Sequence, residues 1–456
     1  MVLLRARRAL FVGASAISIG IMSCLPGSAE TLTGALAKAY ENNPPLNALR
    51  AAQRALDENV AIAKSGNRPN ITASGSYGTF SRDGESGGPN VVGRIELQQN
   101  LFNGFQTRNA VRSARAGVFS GREELRGGEQ DTLLAAVQAY VAVIRDRRVL
   151  QFRRQNISFL NEQLNASQAR FEVGEGTRTD VAQARAERAA AVADLETARA
   201  NVQSSEATYI RVVGTAPSNL NTPRPANALL PHGLEQAVAI AVESHPDVRR
   251  ARFDVEQTAF NVKQAEGQFL PSLDLAASVE RARQDQVLGG RVNVDSTALS
   301  ARLTVPIYQG GRASAQVRQA KEQLSQSRIL VDSARRDARA RVVQAFADYQ
   351  AALAARTSTN AQIRAARLAV EGLVEERNVG QRTTLDVLLG QQTLINAQIL
   401  SAQNDALLVS TSYALVAAVG RLTARDLGLP VAVFEPDDHF LAVKDKWYGL
   451  RTPDQR

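Results

Sequence analysis

The chain has 456 residues, a formal charge of +9, one cysteine and three histidines. No apolar run approaches the 18 or more residues a spanning helix needs, so a bundle of transmembrane helices is excluded. The single Cys24 excludes a disulfide framework and a Cys-based zinc site, while the basic excess alone admits nucleic acid as a partner.

Arg5, Arg7 and Arg8 precede a short apolar run over 10–22, and Gly27, Ser28 and Ala29 stand before Glu30. This is the layout of a secretory signal peptide over 1–29, cleaved after Ala29. Lipidation at Cys24 is the competing reading, and Met22 suits it poorly. Removing the leader takes three of the nine net charges, leaving +6, and removes the cysteine.

An internal repeat follows. Residues 32–69 align with 234–271 at an offset of 202, through Leu32/Leu234, Ala39/Ala241, Pro44/Pro246 and Pro69/Pro271. From Gly104 the offset is 206, through Gly104/Gly310, Gly174/Gly380, Thr177/Thr383, Asp180/Asp386 and Gly214/Gly420. Such constant offsets indicate duplication of one structural unit. The expected organisation is a first repeat over 30–220, a linker over 221–233 rich in nearby prolines, a second repeat over 234–424, and an unassigned tail over 425–456.

Each repeat opens with two short helices, over 31–40 and 46–65 in the first, separated by Asn43-Pro44. Residues 71–77 and 91–98 then alternate apolar and polar, as do 273–280 and 299–307, which predicts two β-hairpins. Their loops are expected at 84–89 and 284–295. The stretches 107–171 and 312–379 contain no proline and place apolar residues three and four apart. Roughly 65 helical residues span about 100 Å. Alanine-rich helices return over 177–213 and 383–422, giving long antiparallel coiled coils. At the turns, Gly174 and Gly380 suit a left-handed helix stop, and Thr177 and Thr383 suit helix caps.

Four strands of about ten residues match a membrane-spanning β-strand. Four cannot close a barrel, and open edges in lipid cost several kcal/mol per unpaired group. Three chains pooling four strands each give twelve, an even number within the range of outer-membrane barrels. The alternative is a pair of soluble hairpins packed on helices.

The two halves, the Asn43-Pro44 and His245-Pro246 breaks, and the hairpins resemble the TolC-like outer-membrane factor family. So do the junctions Leu101-Phe102-Asn103-Gly104-Phe105 and Ile307-Tyr308-Gln309-Gly310-Gly311. The turn motifs Val173-Gly174 with Thr179-Asp180-Val181, and Val379-Gly380 with Arg382-Thr383 and Asp386-Val387, are the most specific. The resemblance implies a mixed α/β membrane protein: a homotrimer with a 12-stranded outer-membrane β-barrel and a periplasmic α-helical barrel of coiled coils. It implies a periplasmic adaptor and an inner-membrane RND pump or ABC transporter as partners, outer-membrane lipid around the barrel, and no cofactor. It places Val173, Gly174, Thr177, Val379, Gly380 and Thr383 at an adaptor-docking tip. It makes Thr179, Asp180, Arg377 and Arg382 a gate latch, with Arg377 standing where some relatives pair an aromatic residue with the Asp180-like carboxylate. Asp386 corresponds to a carboxylate lining the entrance, and Leu389 falls where some relatives carry a second acidic ring.

His232, His245 and His439 have no ligand spacing, and no nucleophile motif, Walker loop or dinucleotide fingerprint is present, so no metal site or catalysis is expected. The expected function is an exit duct of a tripartite export system for drugs, toxic compounds or secreted proteins. Type I protein secretion is the narrower alternative, and a pore-free periplasmic coiled-coil protein the structural one. Nucleic-acid binding ranks last, because the basic residues are scattered along the helices.

Overall fold

The computed structural model describes residues 30–82, 85–286 and 290–453. The expected leader, with Cys24, lies outside them. Helix α1 (Leu32–Asn42) is capped by Thr31, whose hydroxyl accepts from the Gly34 N–H at 3.1 Å. Helix α2 (Pro44–Ser65) starts two residues before the expected Leu46, because Pro44 suits the first helical position and Asn43 caps it. The Asn43 amide also donates to the Val212 carbonyl at 3.0 Å, tying the break to the far end of the repeat.

Strands β1 (Asn70–Arg82) and β2 (Glu85–Asn103) form the first hairpin. Two rods follow, α3 (Gln106–Glu172) and α4 (Arg178–Val213). The same order recurs in α5 (Leu234–Ser244), α6 (Pro246–Glu266), β3 (Ser272–Gln286), β4 (Gly290–Thr304), α7 (Arg312–Asn378) and α8 (Thr384–Ala418). Helix α8 stops short of the expected residue 422, since Gly420 turns left-handed at φ +87° and packs beside His245.

The strands form one antiparallel sheet in the order β1-β2-β3-β4. They run through the expected loops: β2 begins at Glu85, and the β3–β4 ladder continues to Gln286 opposite Gly290. Turn-forming composition there does not end backbone pairing. Ile71, Leu97, Ala277 and Leu299 form one cross-strand rung on the apolar face. The other face carries Arg94, which lies 3.2 Å from Glu96 and 3.7 Å from Glu280. One face thus suits hydrocarbon and the other water. Strands β1 and β4 are both edges within the chain.

Rod α3 is central. It packs on α2 and α6 at one end and on α4 and α8 along the rest. Gly121 and Gly128 permit the close approach of α2: an added Cβ would lie 2.5 Å from Leu56 and 2.2 Å from Leu49 respectively. The main core gathers Leu36, Tyr40, Leu133, Val137, Tyr140, Tyr209 and Val416. There the Tyr140 hydroxyl sits 2.7 Å from the Glu30 carbonyl and 2.8 Å from that of Asn221, pinning the start of the described chain to the linker. Burial pushes that phenol up to about 12.

The tail, unassigned from sequence, is ordered against α2. Its helix α9 (Pro436–Val443) places His439 Nδ1 3.0 Å from buried Asp57 Oδ2. Desolvation raises the Asp57 carboxyl above its usual range. Neither partner was identifiable alone, since 382 residues separate them.

His245 caps α6 where Asn43 caps α2. Its Nδ1 accepts from the Asp247 N–H at 3.2 Å, which requires that nitrogen to be unprotonated. Burial, reinforced by Arg341, holds the imidazole down to about 4. Between an unfolded value near 6.5 and the folded one, the unfolded chain therefore binds the extra proton. The cap's contribution is complete above pH 6.5 and falls as pH drops toward 4. His245→Asn keeps a capping acceptor without titrating, whereas His245→Ala costs about 1 kcal/mol at pH 7.5. Melting curves at pH 7.5 and 4.5 test this: His245→Asn should lose less stability on acidification than the native chain. Identical losses would contradict the cap's role.

Candidate functional site

The two rod-to-rod turns have the same construction. Rod α3 ends in a Schellman motif: Gly174 N–H donates to the Phe171 carbonyl at 3.1 Å, and Glu175 N–H to that of Arg170 at 2.9 Å. In the second turn Gly380 donates to Arg377 at 3.0 Å and Gln381 to Glu376 at 2.8 Å. Gly174 and Gly380 stand at φ +83° and +81°, the left-handed conformation the motif needs.

Each return helix then begins with a capping box. Thr177 Oγ1 accepts from Asp180 N–H at 3.2 Å, while the Asp180 carboxylate accepts from Thr177 N–H at 3.1 Å. Thr383 and Asp386 repeat this at 3.2 and 3.0 Å. Hydrogen bonds from the Thr383 N–H and then its hydroxyl hold the Asp386 carboxyl below the usual carboxylate range, with Arg382 adding to the effect. Asp386 is thus an ionised group at an exposed helix N-terminus. Val173 and Val379 stand exposed at the two apices, so the turns present apolar knobs on rigid supports.

The expected latch residues are distributed differently within one chain. Arg377 is buried and donates to Gln163 of α3, and to Asn378 at 3.2 Å. Within the described chain Arg377 makes no hydrogen bond to Asp180, whose Oδ2 serves the α4 cap. Burial, with Arg170 nearby, lowers the Arg377 pKa from its ordinary value. Arg382 donates to Glu376 Oε2 at 2.9 Å across its own turn, and that bond raises its pKa. Thr179 is exposed and makes no hydrogen bond to Arg382 within the chain. Leu389, one turn along α8 from Asp386, is exposed.

Further links join the two coiled coils. Gln391 of α8 donates to Asn156 of α3 at 2.9 Å in a buried pair, close to an apolar cluster of Leu160, Ala191 and Leu388. Higher up, Asp405 accepts from Arg148 at 2.9 Å and from Arg356 at 3.0 Å. Gln163 and Asn156 were missed in the sequence. Their only signal was a seven-residue spacing that places two amides on one face of α3, beside Leu160.

These features define a paired coiled-coil rod carrying an open four-stranded sheet. The family profile described as outer membrane efflux protein matches residues 35–215 and again 237–421. The chain is 47% identical to the outer membrane efflux protein BepC of Brucella suis over 458 residues, covering 99% of each. It is 25% identical to the outer membrane protein TolC of Escherichia coli over 427 residues, covering 88% of this chain and 84% of the other. Among solved structures, the Campylobacter jejuni CmeC outer membrane channel superposes with a TM-score of 0.75 at 17% identity, covering 91% and 89% of the two chains. The VceC outer membrane protein of Vibrio cholerae gives 0.71 at 19% identity, covering 85% and 96%.

The chain belongs to the outer membrane efflux protein family. It is an outer-membrane duct with a helical extension into the periplasm, and its sheet, open at β1 and β4, is consistent with a barrel of twelve strands from three copies.

Proposed function

We propose that the duct exports small toxic compounds, working with a periplasmic adaptor at the Val173 and Val379 turns and with an inner-membrane pump. The observation that carries the cargo class is the full-length, 47% identity to a protein named for efflux, set against 25% identity to the alkaline protease secretion protein AprF of Pseudomonas aeruginosa. Dedicated secretion of a protein substrate is the second reading, favoured by that weaker likeness. Deleting the gene tests the choice: sensitivity to dyes, detergents and antibiotics should rise with the secreted proteome unchanged. Loss of one secreted protein with normal drug resistance would favour the second reading.

The entrance is held shut by ties between the coiled coils. The link from Arg377 to Gln163 fixes α7 against α3, and the Asn156–Gln391 pair fixes α8. The Arg382–Glu376 pair stiffens the turn, and the Asp386 carboxylates of three copies collect round the axis. Adaptor binding favours the arrangement in which these ties are broken. A buried hydrogen bond to a charged group is worth about 1.5–3 kcal/mol, so its loss shifts the closed–open balance roughly tenfold or more. Arg377→Ala should raise single-channel conductance in planar bilayers, and adding Gln163→Ala should raise it no further. Unchanged conductance in Arg377→Ala would remove the latch.

The repeat also specifies how copies meet. Val137 of α3 and Val416 of α8 are buried in one core. Their counterparts at the 206-residue offset, Val343 of α7 and Ile210 of α4, are 43% and 45% exposed in the single chain. Packing α4 of one copy on α7 of the next, in the register of α8 on α3, covers both. Cysteines at Val343 and Ile210, introduced with Cys24 replaced by Ser, should cross-link to a covalent trimer ladder. Absence of cross-linking in assembled trimers would reject this register.

A further inference from the structure

The segment after α9 is placed by contacts at the foot of the sheet. Arg68, two residues before β1, donates from Nη1 to the Lys446 carbonyl at 2.7 Å. Its guanidinium lies 4.7 Å from the centre of the Trp447 ring. Lys64 at the end of α2 pairs with Asp445. Trp447 is therefore held at the level where the helices give way to strands, against Arg68, which is three residues along the chain from Ile71 of the apolar face.

At that level the chain is rich in uncovered apolar side chains. Phe105, Leu270, Ile307 and Tyr308, each next to a strand end, are exposed. Trp447 and Tyr448 remain 66% and 90% exposed despite the contacts that hold the segment, and Gly449 at φ +109° turns Leu450 outward beside them. Lys444, Lys446 and Arg451 flank these residues, while the one intervening carboxylate, Asp445, is committed to Lys64. Exposed aromatic rings between basic groups, at the edge of an apolar band, match the chemistry of the headgroup layer: rings at the interface and cations on phosphates.

We propose that residues 444–451 lie in the periplasmic-leaflet headgroup region of the outer membrane and bind anionic phospholipid, as a peripheral anchor continuous with the barrel's lipid-facing band. This rests on the outer-membrane duct reading. The geometry adds that the tail is a lipid contact built onto the helical part and held there by α9. Its cationic groups select phosphatidylglycerol-type headgroups over zwitterionic ones.

Trp447 is the only tryptophan in the chain, so emission excited selectively at tryptophan reports this segment alone. The assembled protein is reconstituted in phosphatidylethanolamine–phosphatidylglycerol vesicles whose acyl chains carry bromine near the headgroups. Blue-shifted emission quenched by the brominated lipid is expected. The triple variant Lys444→Glu, Lys446→Glu, Arg451→Glu should lose most of that quenching. Water-like emission quenched by iodide but not by brominated lipid would overturn the proposal. So would blue-shifted emission indifferent to brominated lipid, which would place the ring against a protein surface. Ion conductance through the same vesicles, measured in parallel, separates failure of the anchor from failure of the duct.

Discussion

The structure depends on one constraint: a backbone N–H or C=O exposed to hydrocarbon costs several kcal/mol. A single chain places four strands in one sheet and leaves β1 and β4 with unpaired edges. A lipid-facing sheet of this kind is viable only when its edges are closed by other copies. Everything below the membrane follows from satisfying that requirement with identical subunits. Duplication supplies two hairpins per chain, and threefold closure then pairs every edge.

The rods translate the same symmetry downward. Within the chain α3 is covered by helices from both halves, while α7 retains exposed apolar groups such as Val343 and Leu368. Polar ties between the coiled coils, among them Asn156–Gln391 and Arg377–Gln163, lie in buried positions where water cannot replace them. Buried hydrogen-bonded pairs give discrete registers between rods. That discreteness suits a gate, because a duct that must be tight or open gains from two arrangements and little from a continuum.

Local chemistry was the most legible in the sequence. Gly174 and Gly380 stop helices, Thr177 and Thr383 start them, and Asn43 and His245 cap after a break, because each effect is confined to a few neighbouring residues. Strand alternation likewise placed the apolar face correctly. What was not legible depended on residues far apart. The partner of Arg377 is 214 positions away, and that of His439 is 382 away. The ladder through 85–89 was hidden because glycine, serine and proline signal a turn, whereas the pairing there is made by the backbone. The tail was unreadable as a structure because its docking rests on Asp57 and Lys64 of α2 and on Arg68 just beyond it.

The central claim is that three copies share one barrel. The most direct measurement is the native mass of the detergent-extracted protein, taken before and after full thermal denaturation. The account predicts an outer-membrane species of three chains that resists mild heating and separates only when the sheet unfolds. A monomer extracted without detergent from the periplasmic fraction would contradict it.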